Sequence, residues 1–323
     1  MHCGLRDRLF RCAPGSWDMQ RCDGCGSGYL DPRPNAATIG LAYSSYYTHT
    51  SVIGAEQPPK SAWRRHRIAQ RNACLNSTYG YELSPASPRP PCCVSTDRRQ
   101  RWDKQVGYLR FPGRGARLLD VGCGNGRFLM QMRAAGWEVS GVEPDPASAA
   151  QAVAAGLDVQ AGSLETLAVP DGRFDAVSLH HVLEHLHRPL ETLRRCRAAL
   201  KTDGTIVIAT PNFAAFGHRV FGPDWFPLSP PTHLVLFTPD SLRRALENTG
   251  FEPEPSCRLR LGAAEVFRQS VQIRRRGDPM RMQPPLSFAD KLCAAWLARQ
   301  ADRATREQPS LAEELVLLAR RRD

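Results

Sequence analysis

Residues 118–126, reading LLDVGCGNG, constrain this chain more than any other stretch of it. A short apolar run, 116–121, leads into them, and a helically spaced apolar pattern, 127–135, follows. That order reads as strand, tight turn and helix. Three glycines at alternate positions let the backbone turn sharply and approach a ligand with no Cβ in the way. The spacing is G-x-G-x-G, and Arg127 stands where a dinucleotide fingerprint needs its third glycine. Asp120, just before the glycines, sharpens the distinction. A carboxylate there repels a pyrophosphate and attracts a cationic amino-acid tail. Glu143 closes the next apolar run about twenty residues on, where a carboxylate can accept both hydroxyls of a ribose.

The alternation continues downstream. Residues 137–142 read as a second strand, and Pro146 opens a helix that stops at Gly156. Residues 157–160, 174–179 and 205–209 read as further strands, with a helix over 189–200 between the last two. Thr238 has the chemistry of an N-cap, with Pro239 at the first helical position, and that helix runs to Gly250. The pattern predicts an α/β fold with a parallel sheet and right-handed crossovers over 116–256. Before it lie a cysteine-clustered segment, 1–35, and a helical region, 36–115, broken by a proline-rich stretch at 84–91.

Four segments carry a resemblance: LLDVGCGNG (118–126), VSGVEPD (139–145), FDAVSLHHVLEHLHRPLETL (174–193) and DGTIVIATPN (203–212). In this order and spacing they resemble the class I S-adenosylmethionine-dependent methyltransferases. The resemblance implies a Rossmann-like seven-stranded sheet over 116–323 that ends in an antiparallel hairpin. Residues 311–319 would be its last strand, although EELVLLARRR also fits a helix. It implies S-adenosylmethionine as cofactor, with Asp120, Gly122, Cys123, Gly124 and Gly126 at the methionine end and Glu143 at the ribose. Relatives often place an Asp after the third strand to meet the adenine amino group. Ser163 stands there instead, so that contact is expected from Ser163 and the backbone around Leu164. His180 would sit beside the cofactor. The acceptor is expected to be a small metabolite, sugar or lipid precursor, methylated at O, N or C. An RNA or protein methyltransferase is the alternative, and a non-catalytic binding module on the same fold is a third.

Residues 181–185, HVLEH, also match the H-x-x-E-H pattern of a group of zinc proteases. Within the resemblance they instead form the turn after the fourth strand, where an E-H pair is common. Methyl transfer needs a base only when the acceptor arrives protonated. His181 and His233 are the sequence candidates for it. His233 lies in a Phe-, Trp- and Pro-rich segment, 213–237, expected to cover an acceptor pocket, as is a second lid at about 257–310. Tyr46 and Tyr47 are candidates to close the pocket from the amino-terminal side.

Cys22 and Cys25 form a C-x-x-C-G knuckle tight enough for two thiolates on one metal. It resembles the second half of a zinc ribbon found ahead of some bacterial methyltransferases, including sugar C-methyltransferases, which implies a possible zinc held by Cys3, Cys22 and Cys25. Cys12 is the substitute fourth ligand, since the natural partner of Cys3 would fall before Met1. Eleven scattered cysteines, no apolar stretch of spanning length and no signal-peptide core predict a cytoplasmic protein without membrane insertion. The net charge of +11 sits in arginine runs that lack interleaved aromatics, so a nucleic-acid partner is not expected.

Overall fold

The computed structural model describes residues 1–8, 12–35, 37–43, 61–255, 263–277 and 285–323. Three short strands come first: β1 (His2–Leu5), β2 (Trp17–Arg21) and β3 (Gly28–Asp31). Two helices follow, α1 (Ala62–Tyr79) and α2 (Thr96–Gln105), separated by the proline-rich stretch. Ser61 caps α1 by accepting from the Arg64 amide, and Gly80 ends it in a left-handed conformation.

The α/β region then unrolls as β4 (Arg117–Val121), α3 (Arg127–Ala134), β5 (Glu138–Glu143), α4 (Pro146–Ala154), β6 (Asp158–Ala161) and β7 (Phe174–His180). After these come α5 (Pro189–Ala199), β8 (Leu200–Pro211), α6 (Phe216–Phe221), β9 (Val235–Leu236), α7 (Pro239–Glu247) and β10 (Phe251–Pro253). The chain closes with α8 (Ala264–Arg276), α9 (Phe288–Glu307) and β11 (Glu314–Arg321). Thr238 and Ser241 form a reciprocal capping box at the start of α7, as their spacing predicts.

Seven strands make the central sheet, in the order β10-β11-β8-β7-β4-β5-β6. The five from β6 to β8 are parallel, and β11 runs antiparallel to both β8 and β10. This is the expected seven-stranded arrangement, with residues 314–321 as a strand and not a helix. From β4 the chain moves outward to β5 and β6, then returns to the other side of β4 as β7. The order therefore reverses between β4 and β7, which opens a crevice at the carboxyl ends of the strands.

Alternate strand residues feed two cores. Leu119, Val177 and Leu317 pack under α5 and α7 with Leu193, Leu242 and Leu246. Leu118, Ala176 and Val316 face the other way, onto α1, α2 and the aromatic rings of Tyr81, Trp102 and Trp137. The amino-terminal helical region is therefore one wall of the main core and not an appendage.

The first three strands are not independent either. They form a four-stranded sheet with β9, ordered β1-β2-β3-β9, over a third core that includes Phe221, Trp225 and Phe267. Gly28 is required there, because a Cβ would meet the Phe213 ring at 2.7 Å. The 213–237 segment is thus a packed layer whose other side is the amino-terminal sheet. Residues expected to form a second lid supply α8 and α9.

Candidate functional site

The glycine turn between β4 and α3 meets each glycine with a different demand. A Cβ on Gly122 would come within 2.5 Å of Val182, and one on Gly126 within 2.3 Å of Leu157. Their neighbours exclude a side chain. Gly124 has a positive φ of 55°, yet a Cβ on it would meet nothing within 4 Å. That open face is where a ligand can lie against the backbone. Glu143 fixes the loop: its carboxylate accepts from the Gly124 amide at 2.7 Å and from the Asp145 amide at 2.9 Å.

Gly124 lines a cleft of about 1400 Å³ with Asp120, Phe128 and His180. Arg71 and Asn72 of α1 and Gln105 at the end of α2 form its far wall. Asp120 is buried and accepts from the Ser178 hydroxyl at 2.6 Å, its register partner on β7. The His180 Nδ1 lies 4.0 Å away, and its ring stands edge-on to Phe128 with centroids 4.7 Å apart. Burial raises the Asp120 pKa to about 7, with the Glu143 charge adding to it against the Ser178 hydrogen bond. A carboxylate and a guanidinium facing one cleft suit the two charges of an amino-acid zwitterion. The cradle at Gly124 and this donor set fit S-adenosylmethionine.

A pH dependence follows from the raised pKa. Below about pH 7 the ligand-free Asp120 holds a proton, and a cation bound beside it expels that proton. Affinity for S-adenosylmethionine should therefore rise about tenfold per pH unit between pH 5.5 and 6.5 and level off above pH 7. Calorimetric titration across that range checks this, and Asp120→Asn should flatten the slope. A flat profile for the unmodified protein would mean that Asp120 does not meet the ligand's charge.

Three sequence expectations change in detail. The Cys123 thiol turns inward against Gly141 and Leu129, and burial pushes its pKa up, so only its backbone can serve a ligand. The Leu164 side chain is buried in the core under α5 and α7. Ser163 is tied to Thr166 in a local turn, and neither Ser163 nor Leu164 lines the cleft.

The histidines gather in a second group. His181 has a positive φ of 56° and is half exposed. Its Nδ1 lies 3.3 Å from a Glu184 oxygen and its Nε2 lies 2.8 Å from Glu314 of β11. Glu184 is buried and also accepts from the Thr210 hydroxyl at 2.9 Å. Burial pushes Glu184 up, but the His181 hydrogen bond and the nearby imidazoles outweigh it and hold the pKa at about 2.

His185 Nδ1 is 2.9 Å from the Thr232 carbonyl, and His233 Nδ1 is 2.7 Å from that of Pro227. A carbonyl only accepts, so each Nδ1 carries the proton and each neutral ring keeps its lone pair on Nε2. Burial holds both rings neutral, lowering the His233 pKa to about 3. The rings stand edge-on, with centroids 4.7 Å apart, and the Tyr43 hydroxyl reaches the same His185 nitrogen at 2.9 Å. The Leu234 amide, donating to the Glu184 carbonyl at 2.8 Å, ties the 213–237 layer to this turn.

The H-x-x-E-H spacing does not produce a protease helix, because residues 183–185 form one 3₁₀ turn and His181 and His185 serve different partners. One ligand atom each from Glu184, His185 and His233 does lie within 4.8 Å of the other two, a set able to hold a divalent cation. It is the one such group of three among the described residues. Sequence reasoning had His185 only as part of the H-x-x-E-H match, not as a base candidate, and missed Tyr43 and Glu314 here. It also missed Arg71, Asn72 and Gln105 at the cleft. Tyr46 and Tyr47 lie outside the described residues.

The cysteines do not assemble. Cys22 and Cys25 share the turn between β2 and β3, but Cys3 lies on β1, where the adjacent His2 pairs with Met19. Cys22 lies three steps along the chain from Met19, about 10 Å in extended geometry, far beyond the contact that thiolates on one zinc ion need. Cys12 joins no cluster of three either, so the described residues bring no third ligand to the knuckle.

A family model described as a methyltransferase domain matches residues 94–255, half of the chain. The chain belongs to this family. It is an S-adenosylmethionine-dependent methyltransferase. The ubiquinone biosynthesis O-methyltransferase of Cereibacter sphaeroides is 32% identical over 187 residues, covering 53% of this chain and 75% of the relative. The protein of the same name from Ruegeria pomeroyi is 31% identical over 187 residues, with the same coverage of 53% and 75%. Among solved structures, an S-adenosylmethionine-dependent methyltransferase from Mesorhizobium loti aligns at a TM-score of 0.46 and 21% identity, over 68% of this methyltransferase and 97% of that chain.

Proposed function

We propose that this methyltransferase transfers a methyl group to an oxygen of a small hydroxylated molecule, and that His185 draws off the hydroxyl proton. The observation that carries the reading is the His185 ring. It is neutral, its tautomer is fixed by the Thr232 carbonyl, and one of its ring nitrogens lies within 4.8 Å of an oxygen of the ionised Glu184. Such a base serves an acceptor that arrives protonated, as a hydroxyl does.

S-adenosylmethionine, when bound, supplies a methyl on a sulfonium that is already an excellent leaving group. Asp120, Arg71 and the Gly124 backbone would hold its amino-acid end, and Glu143, which braces that loop through the Gly124 and Asp145 amides, would meet the ribose hydroxyls. His185 takes the proton at Nε2 as the acceptor oxygen gains its new bond. Glu184 then stabilises the imidazolium that forms. His181, with both ring nitrogens against carboxylates, orients Glu184 and is a positioning residue. The named O-methyltransferase activity of the Cereibacter sphaeroides relative supports an oxygen acceptor.

The test is an acceptor panel with methyl-labelled S-adenosylmethionine. It should contain phenols, catechols and sugar hydroxyls, each beside its O-methylated form and an amine analogue. O-methyl products from the hydroxyl compounds alone are expected by mass spectrometry. Label carried only by amines, RNA or protein would replace the reading.

A further inference from the structure

Helix α9 is packed inside out. Its buried line is small, with Ala294, Ala298, Ala301 and Thr305 all at most 6% exposed against the third core. On the opposite line large apolar side chains face solvent: Phe288 is 77% exposed, Leu292 55% and Trp296 58%. Residues three and four apart share a helix face, so these three stand in one row. The row continues as Arg299, Arg303 and Arg306, all exposed. Asp290 is turned aside to Arg275 at 3.2 Å, and the carboxylates beside this row of cations are Glu307, 3.1 Å from Arg303, and the half-buried Asp302, so three arginines face two acids.

We propose that α9 docks this methyltransferase onto an anionic lipid surface, with Phe288, Leu292 and Trp296 entering the headgroup boundary and the three arginines meeting lipid phosphates. Aromatic and aliphatic side chains beside a basic stretch are the composition that lies in a membrane interface. No described helix is long and apolar enough to cross a membrane, so the contact is peripheral. Charge decides against a second copy as the occupant. Each copy carries +11 and its apolar row is flanked by cations, so a second copy offers no charge complementarity, whereas an anionic surface does. The apolar row is also short, about 12 Å, and offers less than the roughly 800 Å² per partner that stable interfaces bury. This inference is independent of the acceptor.

Flotation of the full chain with phosphatidylglycerol–phosphatidylcholine vesicles, beside phosphatidylcholine alone, tests it. The unmodified protein is expected to bind the anionic vesicles at least about tenfold more tightly than the neutral ones, with salt weakening it. Phe288→Ser/Leu292→Ser/Trp296→Ser should lose about tenfold, and Arg299→Gln/Arg303→Gln/Arg306→Gln should lose the anionic preference. S-adenosylmethionine binding reports that both variants are folded. Trp296→Phe should remove a blue shift of tryptophan emission on adding vesicles. No flotation of the unmodified protein, or equal flotation of the variants, overturns the proposal. So does a dimer by light scattering that the apolar variant splits, which would make the row a protein interface.

Discussion

The His185→Asn enzyme is expected to keep its S-adenosylmethionine affinity within about twofold and to lose two to four orders of magnitude in kcat. Asn can still donate to the Thr232 carbonyl from its amide, as the Nδ1–H does at 2.9 Å, but it offers no basic nitrogen in place of Nε2. The acidity of the acceptor separates a base from a merely structural histidine. Acceptors whose hydroxyl is already acidic need little help, so the variant should recover rate as the acceptor's pKa falls. The unmodified enzyme should be far less sensitive. Its own kcat at saturating S-adenosylmethionine should hold down through the ordinary imidazole range and fall only on further acidification, because burial holds the His185 pKa beneath that range. Equal kcat for both enzymes across a series of substituted phenols would end the assignment. His233→Asn, whose ring packs beside His185, separates a direct role from disturbed packing.

The second large effect divides the glycines of the cofactor turn. Gly126→Ala would drive a Cβ to within 2.3 Å of Leu157 and 3.0 Å of Ala152, at a φ of 82°. Overpacking and left-handed strain together should cost about 2–5 kcal/mol whether or not ligand is present. Gly124→Ala meets no protein atom within 4 Å and bears only the strain of its 55° φ, about 1–2 kcal/mol. Its added methyl points into the space the ligand needs, so S-adenosylmethionine should bind at least about tenfold more weakly. Thermal unfolding with and without ligand reads both. Gly126→Ala should show the larger fall in ligand-free Tm, and Gly124→Ala the loss of ligand-induced stabilisation. If Gly124→Ala keeps that stabilisation in full, the ligand does not lie against Gly124.

Much of this was legible because the controlling signals are local. The LLDVGCGNG turn, the Glu143 that braces it and the Thr238 cap each depend on residues a few positions apart, or on one strand and its neighbour. The last strand was ambiguous for a physical reason. Six of its eight residues are buried on both faces of the sheet, so its sequence is a continuous apolar run with no alternation to separate strand from helix. The base was harder still. His185 depends on Thr232 and Tyr43, 47 and 142 residues away in sequence, and no pattern encodes such distances. Helix α9 had no legible inner face because its large apolar residues mark the outer side, while alanines make the seam. The Cys22-x-x-Cys25 knuckle was expected to hold a metal together with Cys3, but strand pairing, which no spacing encodes, sets Cys3 away from it.

The position of β11 bears on how the chain comes to be folded at all. It enters the sheet between β8 and β10, both made well before it, with α8 and α9 intervening. While the ribosome is still extending the chain, the backbone groups of β8 that will bond residues 314–320 have no partner. An open strand edge over an apolar face invites pairing with other chains. Occupation of that edge must await about a hundred further residues, from Pro211 to Glu314, so holdase chaperones should find this nascent chain during that interval, and slowed synthesis across α8 and α9 should raise its losses to aggregation.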